Sequence, residues 1–131
     1  MSTDLQMLVL ASLLTLVLAV PGVIALVMTR GFAYASGNRD EQVSLPAWGE
    51  RALRAHRNML ENLPPFAALV LVAHFAGVSG PATASGATLF LWARVAHAGL
   101  YIAGVAYLRT LAFAASLVGM LMILRPILSA W

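Results

Sequence analysis

Apolar positions collect into four stretches, at about Leu5–Thr29, Leu63–Ala76, Thr88–Leu108 and Leu111–Leu128. A helix that crosses a bilayer needs about 20 residues, each adding about 1.5 Å. The second stretch is too short alone, but a mixed polar and apolar run extends it backward to Pro46, a residue tolerated in the first turn of a helix. From Pro46 to Ala76 that helix would measure roughly 45 Å against a hydrocarbon core of about 30 Å. Its N-terminal third should therefore leave the membrane or line a polar cavity. Between the stretches lie a polar loop, Arg30–Leu45, a small uncharged loop, Gly77–Gly86, and a short turn around Arg109. The pattern predicts an all-α membrane protein, a four-transmembrane-helix bundle in which residues 1–131 form one domain.

Three prolines qualify this outline. Pro21 is expected to bend the first helix, and Pro64-Pro65 to kink or widen the second. The pair removes two amide donors and frees the carbonyls of Leu60 and Glu61.

Composition sharpens the class. Of 131 residues, 61% are hydrophobic and only 10% are charged, whereas soluble domains run at about 45–50% apolar and about 25% charged. The Leu5–Met28 run is longer than a signal-peptide core and lacks a basic leader, so it reads as a retained first helix. With no cysteine, disulfides, thiol nucleophiles and thiolate metal sites are excluded. All eight basic residues are Arg, the side chain suited to bidentate grip on carboxylate or phosphate. A net charge of +3, without a basic stripe interleaved with aromatics, suits an anionic leaflet better than nucleic acid. Arg30, Arg39, Arg51, Arg54, Arg57 and Arg109 all fall on one side of the proposed bundle, which makes that side cytoplasmic and puts both termini outside.

Five charged side chains sit in Glu50–Asn62, which opens straight into an apolar run. On a helical wheel Glu50, Arg51, Arg54, Arg57, Asn58 and Glu61 fall within an arc of about 120°, with His56 on the opposite side. The simplest account is a solvated face with pairs such as Glu50–Arg54 or Arg57–Glu61. The third stretch argues for more. Arg94, His97 and Tyr101 share one face of an otherwise apolar span, and an arginine there must face the bundle interior and find partners. Glu61 lies at a compatible depth and is its expected partner. With Arg109-Thr110 at the third turn and Arg30 at the end of the first helix, the set would make a cytoplasmic-side cavity for a ligand with two or more carboxylates.

Protein nucleophiles are missing from this set. No Ser-His-Asp or Cys-His arrangement occurs, no carboxylate pair is placed for acid–base work, and no His-x-x-x-His or Glu-x-x-His spacing suggests a metal site. His74 and His97 differ in depth by roughly 10 Å, which fits poorly with two axial ligands of one haem. The nucleophile should arrive with the ligand, and arginines with hydroxyls can stabilise the anion of a bound thiol.

At these positions the chain resembles the MAPEG family, the membrane-associated proteins of eicosanoid and glutathione metabolism, in its bacterial-type form. The resemblance is carried by Glu50-Arg51-x-x-Arg54-Ala55-His56-x-Asn58-x-x-Glu61-Asn62-x-x-Pro65-Phe66, by Arg94-Val95-Ala96-His97-x-x-x-Tyr101, and by Leu108-Arg109-Thr110. It implies a four-helix protomer in a homotrimer, multi-pass in a bacterial inner membrane, with glutathione held between neighbouring protomers. By that resemblance Arg57, Asn58, Glu61, His97 and Tyr101 bind glutathione, and Arg109 with Thr110 acts beside its sulfur. Arg54 and Arg94 match interhelical network residues, and Arg30 lies near a first-helix arginine of the family.

The chain departs from the prostaglandin synthase branch at Phe113, where that branch has a Tyr, and at Thr110, where it has a Ser. The implied activity is therefore a glutathione-dependent transferase or peroxidase acting on a hydrophobic electrophile or lipid hydroperoxide. A non-catalytic lipid-binding or adaptor membrane protein on the same fold is the alternative.

Overall fold

The computed structural model describes all 131 residues. It is wholly helical, with α1 at Thr3–Arg30, a short α2 at Phe32–Ser36, α3 at Ala47–Phe75, α4 at Pro81–Ala103 and α5 at Ala106–Ser129. The four long helices pack side by side, and α4 against α5 is the most extensive contact. Two of them, α1 and α5, are long and apolar enough to cross a membrane by length and composition.

The bounds of α3 match the expected Pro46–Ala76 segment closely. It begins after Pro46, whose fixed φ suits a helix start, and runs unbroken through Pro64 and Pro65. Its buried face is lined by Gly49, Ala52, Ala55, Met59, Phe66, Val70 and Ala73. That face lies opposite the centre of the charged stripe, so Arg54, Arg57 and Glu61 point away from the core. Phe66 stacks on Phe90 of α4 with ring centroids 3.8 Å apart and planes 8° from parallel.

The last two helices differ from the sequence expectation. The expected loop Gly77–Gly86 is shorter, because Pro81 occupies the first turn of α4 and Thr83, Gly86 and Ala87 are buried in it. Their small side chains are packing residues, not loop residues. Gly86 and Gly119 let α4 and α5 meet backbone to backbone: a Cβ on Gly86 would stand 2.6 Å from the Gly119 carbonyl oxygen, and one on Gly119 2.6 Å from that of Gly86. The other end of α4 comes earlier than expected, at Gly104, whose φ of +85° is the left-handed conformation that glycine adopts without a Cβ clash. Arg109 is therefore not in the turn. It stands in the first part of α5.

At the opposite end of the bundle Asp4 is buried at 1% exposure. Its Oδ2 accepts hydrogen bonds from the Ser79 hydroxyl at 2.7 Å and the Thr83 hydroxyl at 3.2 Å. Oδ1 accepts from the Leu5 amide at 3.0 Å. This clasp joins the start of α1 to the α3–α4 connection.

Candidate functional site

The polar stripe of α3 divides into an edge and a centre. Arg51 and Asn58 lie at the edge that borders α4. Arg51 donates from Nε to the Ile102 carbonyl at 2.8 Å. Asn58 accepts at Oδ1 from Nη2 of Arg94 at 2.5 Å. Arg54, Arg57 and Glu61 hold the centre, exposed and without an ion pair or side-chain hydrogen bond within the protomer. The pairs Glu50–Arg54 and Arg57–Glu61 of the simple solvated-face account do not form. Glu50 instead accepts at 3.4 Å from the Leu45 amide.

The expected Glu61–Arg94 pair is also corrected. Arg94 is 1% exposed and takes the side-chain amide of Asn58, one turn earlier on α3. Asn58 projects about 60° nearer to α4 than Glu61 does on the same helix, and that rotation decides which acceptor the guanidinium reaches. Nε and Nη1 of Arg94 are buried with no partner in the protomer. Phe113 of α5 covers the guanidinium, with Cζ 6.0 Å from the ring centroid.

Beside this pair lies a cavity of about 190 Å³ lined by Asn58, His97, Tyr101, Arg109, Thr110 and Phe113. Three helices contribute. The i, i+4 spacing of His97 and Tyr101 puts both on one face of α4, where their rings meet edge to face at 5.5 Å. The Arg109 guanidinium lies over the Tyr101 ring, Cζ to centroid 4.2 Å. Thr110 donates its hydroxyl to the Ala106 carbonyl at 3.3 Å, so its oxygen remains an acceptor. The cavity thus offers one guanidinium, a phenol, a hydroxyl, an amide and an imidazole beside an apolar Phe113 wall. Such a set can hold an anionic or peptide-like ligand and favour a negative charge near Arg109.

Five of the ten residues singled out by sequence line this cavity: Asn58, His97, Tyr101, Arg109 and Thr110. Arg94 adjoins it through Asn58. Arg54, Arg57 and Glu61 stand on the outer face of α3, and Arg30 is in a separate cluster, paired with Glu41 at 2.5 Å. In the sequence Arg51 belongs to the stripe, the arginine asymmetry and the Glu50-Arg51-x-x-Arg54 motif, none of which points to α4. Its contact with α4 could not be found without the position of the Gly104 turn. A second, larger cavity of about 230 Å³ lies on the other side of α3, between α1 and the first loop, with Tyr34, Arg39 and Glu50 at its polar rim.

The MAPEG family model matches residues 5–128, nearly the whole chain. The chain belongs to the MAPEG family. A comparison with curated proteins returns no match. MAPEG proteins are membrane-embedded and commonly trimeric, and the family includes glutathione-dependent transferases and peroxidases. Many use glutathione as substrate or cofactor. The MAPEG match takes in α3, α4 and all but the last residue of α5, the three helices that line the cavity.

Proposed function

We propose that this MAPEG protein is a glutathione-dependent membrane transferase or peroxidase acting on a hydrophobic electrophile or lipid hydroperoxide. The observation that carries the reading is the cavity in which Arg109 and Thr110 of α5 meet Tyr101, His97 and Asn58. Arg109 and Thr110 stabilise the thiolate, while Asn58, His97 and Tyr101 hold the tripeptide. In conjugation the thiol proton leaves to water, the sulfur forms a bond to the electrophilic carbon, and the leaving group departs with the electron pair of the broken bond. Phe113 presents a ring without the hydroxyl of the prostaglandin synthase branch beside this centre, which supports a hydrophobic electrophile or lipid hydroperoxide over that branch's substrate.

The working unit in this reading is a homotrimer with four membrane-crossing helices per protomer. Support comes from the unpartnered charged groups Arg54, Arg57 and Glu61, exposed on the outer face of α3. Packing α3 against a second copy would give them partners and bring them to the edge of the cavity, with Arg30 joining from the end of α1.

The test is a glutathione titration on detergent-purified protein, wild type beside Arg109→Ala. Arg109→Ala should bind glutathione within severalfold of wild type but lose about tenfold or more in conjugation rate, because the lost interaction is with the thiolate. Unchanged conjugation by Arg109→Ala, or absence of glutathione binding by wild type, would leave the non-catalytic lipid-binding reading in its place.

A further inference from the structure

α4 and α5 are joined by only two residues, Gly104 and Val105. The amides of that joint return to the end of α4: Val105 donates to the Leu100 carbonyl at 2.9 Å and Gly104 to the Tyr101 carbonyl at 3.1 Å. The next carbonyl, that of Ile102, has no amide to accept from, and Nε of Arg51 takes it at 2.8 Å. The same guanidinium lies where a side chain at position 104 would stand. A Cβ there would be 3.3 Å from Arg51 Cζ and 3.4 Å from Nε. Arg51 thus fills the space that the glycine leaves open and fixes the joint to α3.

We propose that Arg51 is a positioning residue for the thiolate site, holding the α4–α5 joint so that Arg109 sits over Tyr101. The proposal rests on the reading of the cavity given above. Arg51 is not among the residues that line the cavity. Its lever is short: α5 begins at Ala106, and Arg109 follows within one turn, its Cζ 4.2 Å from the Tyr101 centroid. Tyr101 itself belongs to the last turn of α4 whose carbonyls the clamp organises. Stabilisation of a thiolate by a guanidinium depends on separation, and a misplacement of about 1 Å can cost up to about a hundredfold in rate. Charge adds to the geometry, since a cation at the C-terminal end of a helix meets the negative end of its dipole.

Three variants test this in the purified, detergent-solubilised protein: Arg51→Met, Arg51→Lys and Gly104→Ala. The readouts are ultraviolet absorbance of the bound glutathione thiolate against pH, and kcat and KM with an activated aryl halide. Arg51→Met should move the thiol titration up by about one pH unit and lower kcat about tenfold, with KM for glutathione within about twofold. Arg51→Lys keeps a donor for the Ile102 carbonyl and should recover most of both. Gly104→Ala strains the left-handed joint itself, at φ +85°, besides crowding the guanidinium; it reports on the joint and should reproduce the Arg51→Met profile, and a wild-type profile in it counts against the proposal even if Arg51→Met fails to fold. A wild-type titration curve and kcat in Arg51→Met, or in Gly104→Ala standing alone, overturn the proposal when Arg109→Ala does shift the titration. Loss of thermal stability with kcat and KM altered together, unrescued by Arg51→Lys, also overturns it, because that is the pattern of a merely structural residue. If Arg109→Ala leaves the titration unmoved, the reading of the cavity fails and the positioning role falls with it.

Discussion

At the residue scale the decisive pairing is Arg94 with Asn58. The guanidinium is buried and its one acceptor in the protomer is a side-chain amide at 2.5 Å. Asn58→Leu removes that acceptor and should destabilise the protein by about 1–3 kcal/mol, read from thermal unfolding in detergent. Arg94→Leu with Asn58→Leu should lose less than the two single changes added, since the double variant leaves no stranded partner. Glu61→Gln should leave the folding of the single protomer nearly unaltered, in contrast to what sequence alone suggested. The sequence did show that Arg94 must find a polar partner on α3. It could not show which, because Glu61 and Asn58 differ by less than one turn in depth and only their angle to α4 separates them.

At the scale of elements, α3 was legible nearly to the residue. A proline start, a one-sided polar stripe and an apolar continuation all point the same way. α4 was legible in existence but shifted, for two physical reasons. Its first turns, Pro81–Ala87, are built of small residues that look like a loop until the close approach of α5 is seen. Its end is set by Gly104, inside a run of apolar residues that gives no change of pattern. The two errors moved Arg109 from a turn into a helix while keeping it in the cavity. Gly86→Val tests the close approach directly. The new side chain meets the Gly119 carbonyl and the Met122 and Ile123 side chains, and the overpacking should cost about 1–3 kcal/mol or more in thermal stability. Ser85→Val, at an exposed neighbouring position, serves as the control and should cost well under that.

At the scale of the whole molecule, two measurements decide how protomers sit and assemble. Native mass spectrometry from several mild detergents should give a threefold mass, and a persistent single-chain mass would count against the assembly. Since the chain has no cysteine, Gly37→Cys introduces a unique label site, and reagent confined to the cytoplasmic side should modify it. The Asp4 clasp has a bearing on how the chain is built. Its partners Ser79 and Thr83 lie 75 and 79 positions later in the chain. During synthesis, α1 and α3 can both be in place while the carboxylate still lacks both hydroxyls. The acid is satisfied only once the start of α4 has arrived, so closure of this end is a late step of assembly. A chain truncated before Ser79 keeps the carboxylate without either hydroxyl and leaves this end of the bundle open. Residues 1–78 expressed alone should therefore turn over faster than the same fragment co-expressed with residues 79–131.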